Sequence, residues 1–413
     1  MATIDAVGVP PRRLAPWLER RAAGHDALIV GAARLAAKTL VALDRGDSGF
    51  DLAALRPAFI ASDHAAANAT AVHAAREIVV ATARDARDAI ARAEPGDVIT
   101  FAPGQYRFRG SYIEVSRAGR DDAPITVRAA APGTVTLDFD LTEGFLVSAP
   151  DWTFENLLIR GVCTDHSSCE HAFHVVGRAT HFVARGNTIL DFNAQFKINA
   201  SDGAFPDDGR IESNVIADTA PRRTANPVAP IDLVAASGWR IRGNRIADFV
   251  KAEGDRISVG AFAKGGGADN RFVGNVVVCE ERLRGEGGQR VGLSLGDGGT
   301  GAAFCRDRRC IVEQEGSAIE SNTIASCSDD GIYLNRAAAS RIAGNTLIDT
   351  GGIVARYPET AAEVSGNRVD GAIVARDGAV LHATDNQSTA LPWLYLGWHP
   401  VRWRFDPVAP PDR

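Results

Sequence analysis

Gly331-Ile332-Tyr333-Leu334-Asn335 is the stretch whose reading decides the fold of this 413-residue chain. The same frame recurs as Ala172-Phe173-His174-Val175-Val176, Gln195-Phe196-Lys197-Ile198-Asn199, Pro230-Ile231-Asp232-Leu233-Val234, Gly260-Ala261-Phe262-Ala263-Lys264, Gly292-Leu293-Ser294-Leu295-Gly296 and Gly352-Ile353-Val354-Ala355-Arg356. The second and fourth positions are apolar in every copy, whereas the third and fifth vary and are often polar. A period of two belongs to a strand with one buried and one open face.

A second marker keeps step with the first. Asn156, Asn187, Asn214, Asn244, Asn275, Asn322, Asn345 and Asn367, usually after Gly or Ser, each stand two residues before an aliphatic or in a similar setting, at spacings of 31, 27, 30, 31, 47, 23 and 22. Asn suits a turn, because it tolerates the left-handed conformation and its amide can bond nearby backbone. Stacked coils would let these amides bond one another in a ladder. A recurring element with variable inserts is the signature of a solenoid. The expected fold is all-β: a right-handed parallel β-helix over residues 81–385, preceded by a helical segment at 1–80 and closed by an aromatic tail at 386–413. Pro10-Pro11 and the Ala, Leu and Arg of 12–43 read as helix, and 51–78 as a further helix or two. The first segment is expected to cap the first rung. The tail, with Trp393, Tyr395, Trp398 and Trp403, is expected to cap the last.

The net charge of −6 gives no global field for nucleic acid, so an anionic ligand needs a local basic site. No apolar run reaches membrane-spanning length. Six Cys fall into apparent pairs: Cys163 with Cys169, Cys305 with Cys310, and Cys279 with Cys327 on neighbouring coils. Three disulfides imply an oxidising compartment, hence a secreted or periplasmic protein. Met1-Ala2-Thr3-Ile4-Asp5 lacks the basic start and apolar core of a signal peptide, so that expectation assumes a leader replaced by the start codon.

Residues 83–106 form a short amphipathic helix ending at Pro95-Gly96, then the strand Asp97-Val98-Ile99-Thr100-Phe101 and a Pro103-Gly104 turn. Ala123-Pro124-Ile125-Thr126-Val127, Pro132-Gly133-Thr134-Val135 and Trp152-Thr153-Phe154-Glu155-Asn156 follow. This run, from about 83 to 160, resembles the opening of the chondroitinase-B and alginate-lyase group of polysaccharide lyases, and of pectate-lyase-like β-helices more broadly. The resemblance implies cleavage of a uronic-acid polysaccharide and a Ca²⁺ site at Glu253 and Asp255. In Glu253-Gly254-Asp255-Arg256-Ile257-Ser258-Val259-Gly260, Gly260 stands where that group has its catalytic Lys, and Lys264 follows four residues later with the same outward parity.

Insertions near 200–210, 220–229, 250–258, 280–290 and 297–316 should wall one face of the solenoid. The outward third positions there are His174, Lys197, Asp232, Phe262, Ser294, Tyr333 and Val354. The outward fifth positions are Val176, Asn199, Val234, Lys264, Gly296, Asn335 and Arg356. A groove carrying these groups suits an acidic polysaccharide. β-Elimination needs a cation at the carboxylate, a base and an acid. Lys264 is the candidate base, Arg290 or Lys197 the cation, and Tyr333 or His174 the acid. Lys197, Asn199, Asp232, Ser294, Asn335 and Arg356 are the expected substrate-binding residues. Ser328-Asp329-Asp330-Gly331 carries adjacent acids of the kind pectin hydrolases use, without their Gly-His-Gly element. The rival expectations are a non-catalytic polysaccharide-binding β-helix and a glycoside hydrolase.

Overall fold

The computed structural model describes residues 11–43, 52–57, 76–296 and 299–389. The Trp393–Trp403 tail cap lies outside them. The described chain winds into a parallel β-helix of three long sheets with ten, eleven and twelve strands, all paired in parallel. Such crossovers are right-handed.

The recurring frames form the ten-stranded front sheet. His174, Lys197, Asp232, Phe262, Ser294, Tyr333 and Val354 pair in one register across seven consecutive rungs. The apolar second and fourth positions point into the core, which begins as a column of rings. Phe145, Phe173 and Phe196 stack with centroids 5.2 and 5.3 Å apart. In the twelve-stranded sheet the inward column reads Ile211, Ile241, Phe272, Ile319 and Ile342, each paired with the next. Rings and branched aliphatics in register stack along a narrow interior, as close packing of a core requires.

The frame's first position departs from strict alternation. Ala172 and Gln195 are fully buried, and Gly260, Gly292 and Gly331 are buried next to buried second positions. A Cβ at Gly292 would stand 2.5 Å from the Gly331 carbonyl oxygen and 2.5 Å from Ile324. The strand bends there, and the parity of everything before the bend reverses.

The Asn ladder is present. Each amide from Asn187 to Asn367 donates through Nδ2 to Oδ1 of the next, at 2.9–3.1 Å, and the ladder ends on Asn386. Each also donates to a backbone carbonyl one coil back, as Asn275 does to Ile241. Asn156 is not a rung of this ladder. It takes the left-handed conformation at φ 62, the place Gly186 takes one coil on. Leu157 stands at the ladder position and its N–H donates to Asn187 Oδ1.

This tight turn joins the twelve- and eleven-stranded sheets, so insertions have no room there. They all fall at the two borders of the front sheet and wall it on both sides. The helical N-terminal segment differs from expectation in two ways among the described residues. These form two helices, α1 (Pro11–Ala22) and α2 (Ala27–Leu43), and a 3-10 turn at 52–54, while most of the further helix expected over 51–78 lies outside the described residues. Arg76–Val80 is not helix but the first strand of the solenoid, paired with Asp97–Phe101. The segment's helix α1 also sits away from the first rung, for Glu19 pairs with Arg256 at 3.0 Å, midway along the front border. The first rung is covered instead by α3 (Ala83–Ala91), which buries Ala86 and Ile90 and is capped by Thr82. Cys163–Cys169, Cys279–Cys327 and Cys305–Cys310 are all bonded.

Candidate functional site

The outward columns do not make one continuous open groove. Asp232, Phe262, Ser294, Val354 and Asn335 are buried, while His174, Lys197, Asn199, Lys264, Tyr333 and Arg356 are partly exposed. Lys197 Nζ binds Asp232 Oδ2 at 2.5 Å, so the two neutralise each other. Ser294 turns its hydroxyl onto the Gly296 and Tyr333 carbonyl oxygens. Lys264 lies over the Phe262 ring, with Nζ 4.1 Å from its centroid. Two chemically distinct clusters remain, one toward each end.

The first is built from Glu143, His171, His174 and Asn199. Glu143 and His171 pair on adjacent strands, on the far side of the bend from Phe145 and Phe173. Glu143 Oε1 lies 2.7 Å from His174 Nδ1 and 3.7 Å from His171 Nδ1. His171 and His174 beside it hold the Glu143 carboxyl down at about 2 against the opposing pull of burial. His174 Nε2 lies 2.8 Å from Asn199 Oδ1, and Asn199 Nδ2 donates to the Ala200 carbonyl oxygen, which sets the amide's orientation.

The second cluster is a cleft of about 890 Å³ at the other end of the front face. Tyr333, Arg356, Arg376, Asp377, Gln289, Asp329 and Asp330 line it, and Trp17 of α1 forms the opposite wall. Burial pushes the Tyr333 phenol above its usual value, while Arg356 beside it pulls the other way. Asn335 Nδ2 donates to the Tyr333 oxygen at 3.0 Å. Arg356 is held by Asp377 at 2.6 Å. Gln289 Nε2 donates to Asp329.

Of the expected site residues, Tyr333, Asn335 and Arg356 come together, as do His174 and Asn199. Arg290 does not face the groove. It precedes the bend at Gly292, so its side chain points inward, 1% exposed, with Nε 3.2 Å from Glu280. Glu253 and Asp255 lie exposed on the 250–258 loop. Asp255 is taken up by Lys251 at 2.7 Å and by the Ile257 N–H. No third His, Cys, Asp or Glu joins them within ligand distance among the described residues. The two acids alone do not fit the six to eight oxygens a Ca²⁺ ion takes. Glu143, His171 and Trp17 were outside the repeating frame and gave no signal of their own in the sequence. Asp329 and Asp330 did, as adjacent acids.

No protein-family model and no curated protein matches this chain. Solved structures do. The chain is similar to the pectate lyase Pel9A at 16% identity, over 76% of this chain and 77% of that one, with a TM-score of 0.48. It is similar to an alginate lyase from Paenibacillus sp. str. FPU-7 at 16% identity, over 76% and 95%, with a TM-score of 0.44. It is also similar to the A-module of the Azotobacter vinelandii mannuronan C-5 epimerase AlgE4 at 13% identity, over 73% and 89%, with a TM-score of 0.44. What is shared is the parallel β-helix scaffold, and a scaffold does not choose a reaction.

Proposed function

We propose that this protein is a secreted or periplasmic lyase that cleaves a uronic-acid-containing polysaccharide by β-elimination in the Tyr333 cleft. The observation that carries this reading is a partly buried phenol standing beside Arg356 in a walled cleft on the solenoid's front face. Elimination at a uronate requires a cation at the carboxylate, which acidifies the neighbouring C–H. Arg356 and Arg376 supply it. A base removes that proton, the electron pair becomes a C=C bond, and the glycosidic C–O bond breaks. Tyr333 keeps its proton because burial raises it, and gives it to the departing oxygen. Lys264 is the base on the same face. It stands two rungs away, about 10 Å by strand spacing, and leaves the Phe262 ring to reach the sugar. Trp17 gives the sugar ring an apolar face to stack on. The three disulfides support the compartment.

A second reading, glycoside hydrolysis, is favoured by Asp329 and Asp330 lining the same cleft. Inverting hydrolysis needs two carboxylates across the scissile bond. The test is incubation with alginate, chondroitin and pectate, with and without Ca²⁺, following ultraviolet absorbance and reducing ends together. The expected result is rising absorbance from an unsaturated uronyl end, lowered about 10²- to 10⁴-fold in Tyr333→Phe. New reducing ends without absorbance, abolished by Asp329→Asn or Asp330→Asn, would establish hydrolysis instead. Binding without either product would make this a non-catalytic polysaccharide-binding β-helix.

A further inference from the structure

We propose that Glu143, His171 and His174 form a binding site for a divalent transition-metal ion of the zinc class. The site lies on the front face about five rungs, ~24 Å, from the Tyr333 cleft. One ligand atom from each residue lies within 4.8 Å of the other two. Two imidazoles and one carboxylate make the donor set of a three-ligand zinc site with one open position. A Ca²⁺ ion would want oxygens instead.

Two observations point to a ligand here independently of the cluster's composition. The first is His171. Its Nδ1 is buried and has no hydrogen-bond partner among the described residues. It stands 3.7 Å from Glu143 Oε1, beyond hydrogen-bond range. Two metal–ligand bonds of about 2.0–2.1 Å span that separation. A merely structural His–carboxylate pair would close the gap.

The second is Asn199. A metal-binding His donates its other ring N–H to a fixed acceptor, which orients the ring and leaves the ligating nitrogen with its lone pair. His174 Nε2 has such an acceptor in Asn199 Oδ1 at 2.8 Å. Its Nδ1 faces Glu143 at 2.7 Å. The ion sits between these two atoms and sends any proton they share to solvent. The ligands sit on paired strands of the core scaffold, 16–22% exposed, so the fourth position opens onto the groove. An anionic oxygen, water or a sugar carboxylate, would complete it.

The test uses the full chain stripped with a chelator, titrated with Zn²⁺ by calorimetry and with Co²⁺ by visible absorption. One ion per chain is expected, with a tetrahedral Co²⁺ band. His171→Asn should weaken binding on the order of 100-fold or more, and Asn199→Ala roughly 10- to 100-fold. His181→Ala, in the separate Asp121, Asp151 and His181 group, should leave it unchanged. His171 Nδ1 stands beyond hydrogen-bond range of Glu143, and circular dichroism of metal-free His171→Asn checks its fold, so this variant decides the matter even if Glu143→Gln fails to fold. Absence of saturable Zn²⁺ binding, or binding that survives His171→Asn, would overturn the proposal. Binding is read without turnover, so the result is independent of the Tyr333 chemistry.

Discussion

Glu143 shows how one side chain's chemistry is set by what stands opposite it. Its carboxyl is held at about 2, against an ordinary 4.5. A depressed folded-state value stabilises the fold above the unfolded value and ceases to do so as pH falls through the folded one. Metal-free Glu143→Gln should therefore be less stable than wild type by up to roughly 3 kcal/mol at pH 6. The gap should close between about pH 4.5 and 2, as urea denaturation at stepped pH will show. Arg290 makes the opposite point. Counting by twos back from Ser294 places it on the open face. The bend at Gly292 turns it inward onto Glu280, and only the contact of Gly292 with Gly331 and Ile324 reveals that bend.

Among the elements, the Asn turn is the one most fully written in local sequence. Its residue type, its spacing to the frame and its inability to accept inserts all follow from one requirement, that each amide meet the next. Asn275→Ala removes the acceptor of both the Asn244 backbone N–H and its Nδ2, and the donor to Ile241. Each buried polar group left unpaired costs about 1–3 kcal/mol. Asn275→Ala should lower the unfolding free energy by at least about 3 kcal/mol in denaturant titrations. Asn386→Ala, at the ladder's partly buried end, should cost distinctly less. The front strands were legible in the same way, since their apolar positions alternate. The exposure of their outer face was not, because it depends on walls made by other loops.

At the scale of the whole molecule, the Cys279–Cys327 disulfide and helix α1 link parts of the chain far apart in sequence. Cys279 and Cys327 are 48 residues apart and join neighbouring rungs across the longest insertion. In the chain-entropy account a loop of that length contributes about 4 kcal/mol, against ~2 for the short loops. Cys279→Ser should thus reproduce about half of the melting-temperature loss seen on full reduction, and more than the loss of either short-loop pair, measured by calorimetry. Trp17 comes from outside the solenoid altogether, yet forms a wall of the cleft. Trp17→Ala is expected to raise KM for the polysaccharide several-fold, on the order of the 1 kcal/mol of a sugar-stacking contact, with kcat nearly unchanged. The sequence by itself determined the solenoid, its front register, its Asn turn and its cysteine pairing, because each rests on residues a fixed step apart. Only the tertiary structure decided which outward residues remain open, that Arg290 is interior, that Glu143 and His171 meet His174, and that α1 faces Tyr333. Those outcomes depend on coils stacking and insertions folding over them, interactions between residues that no local spacing relates.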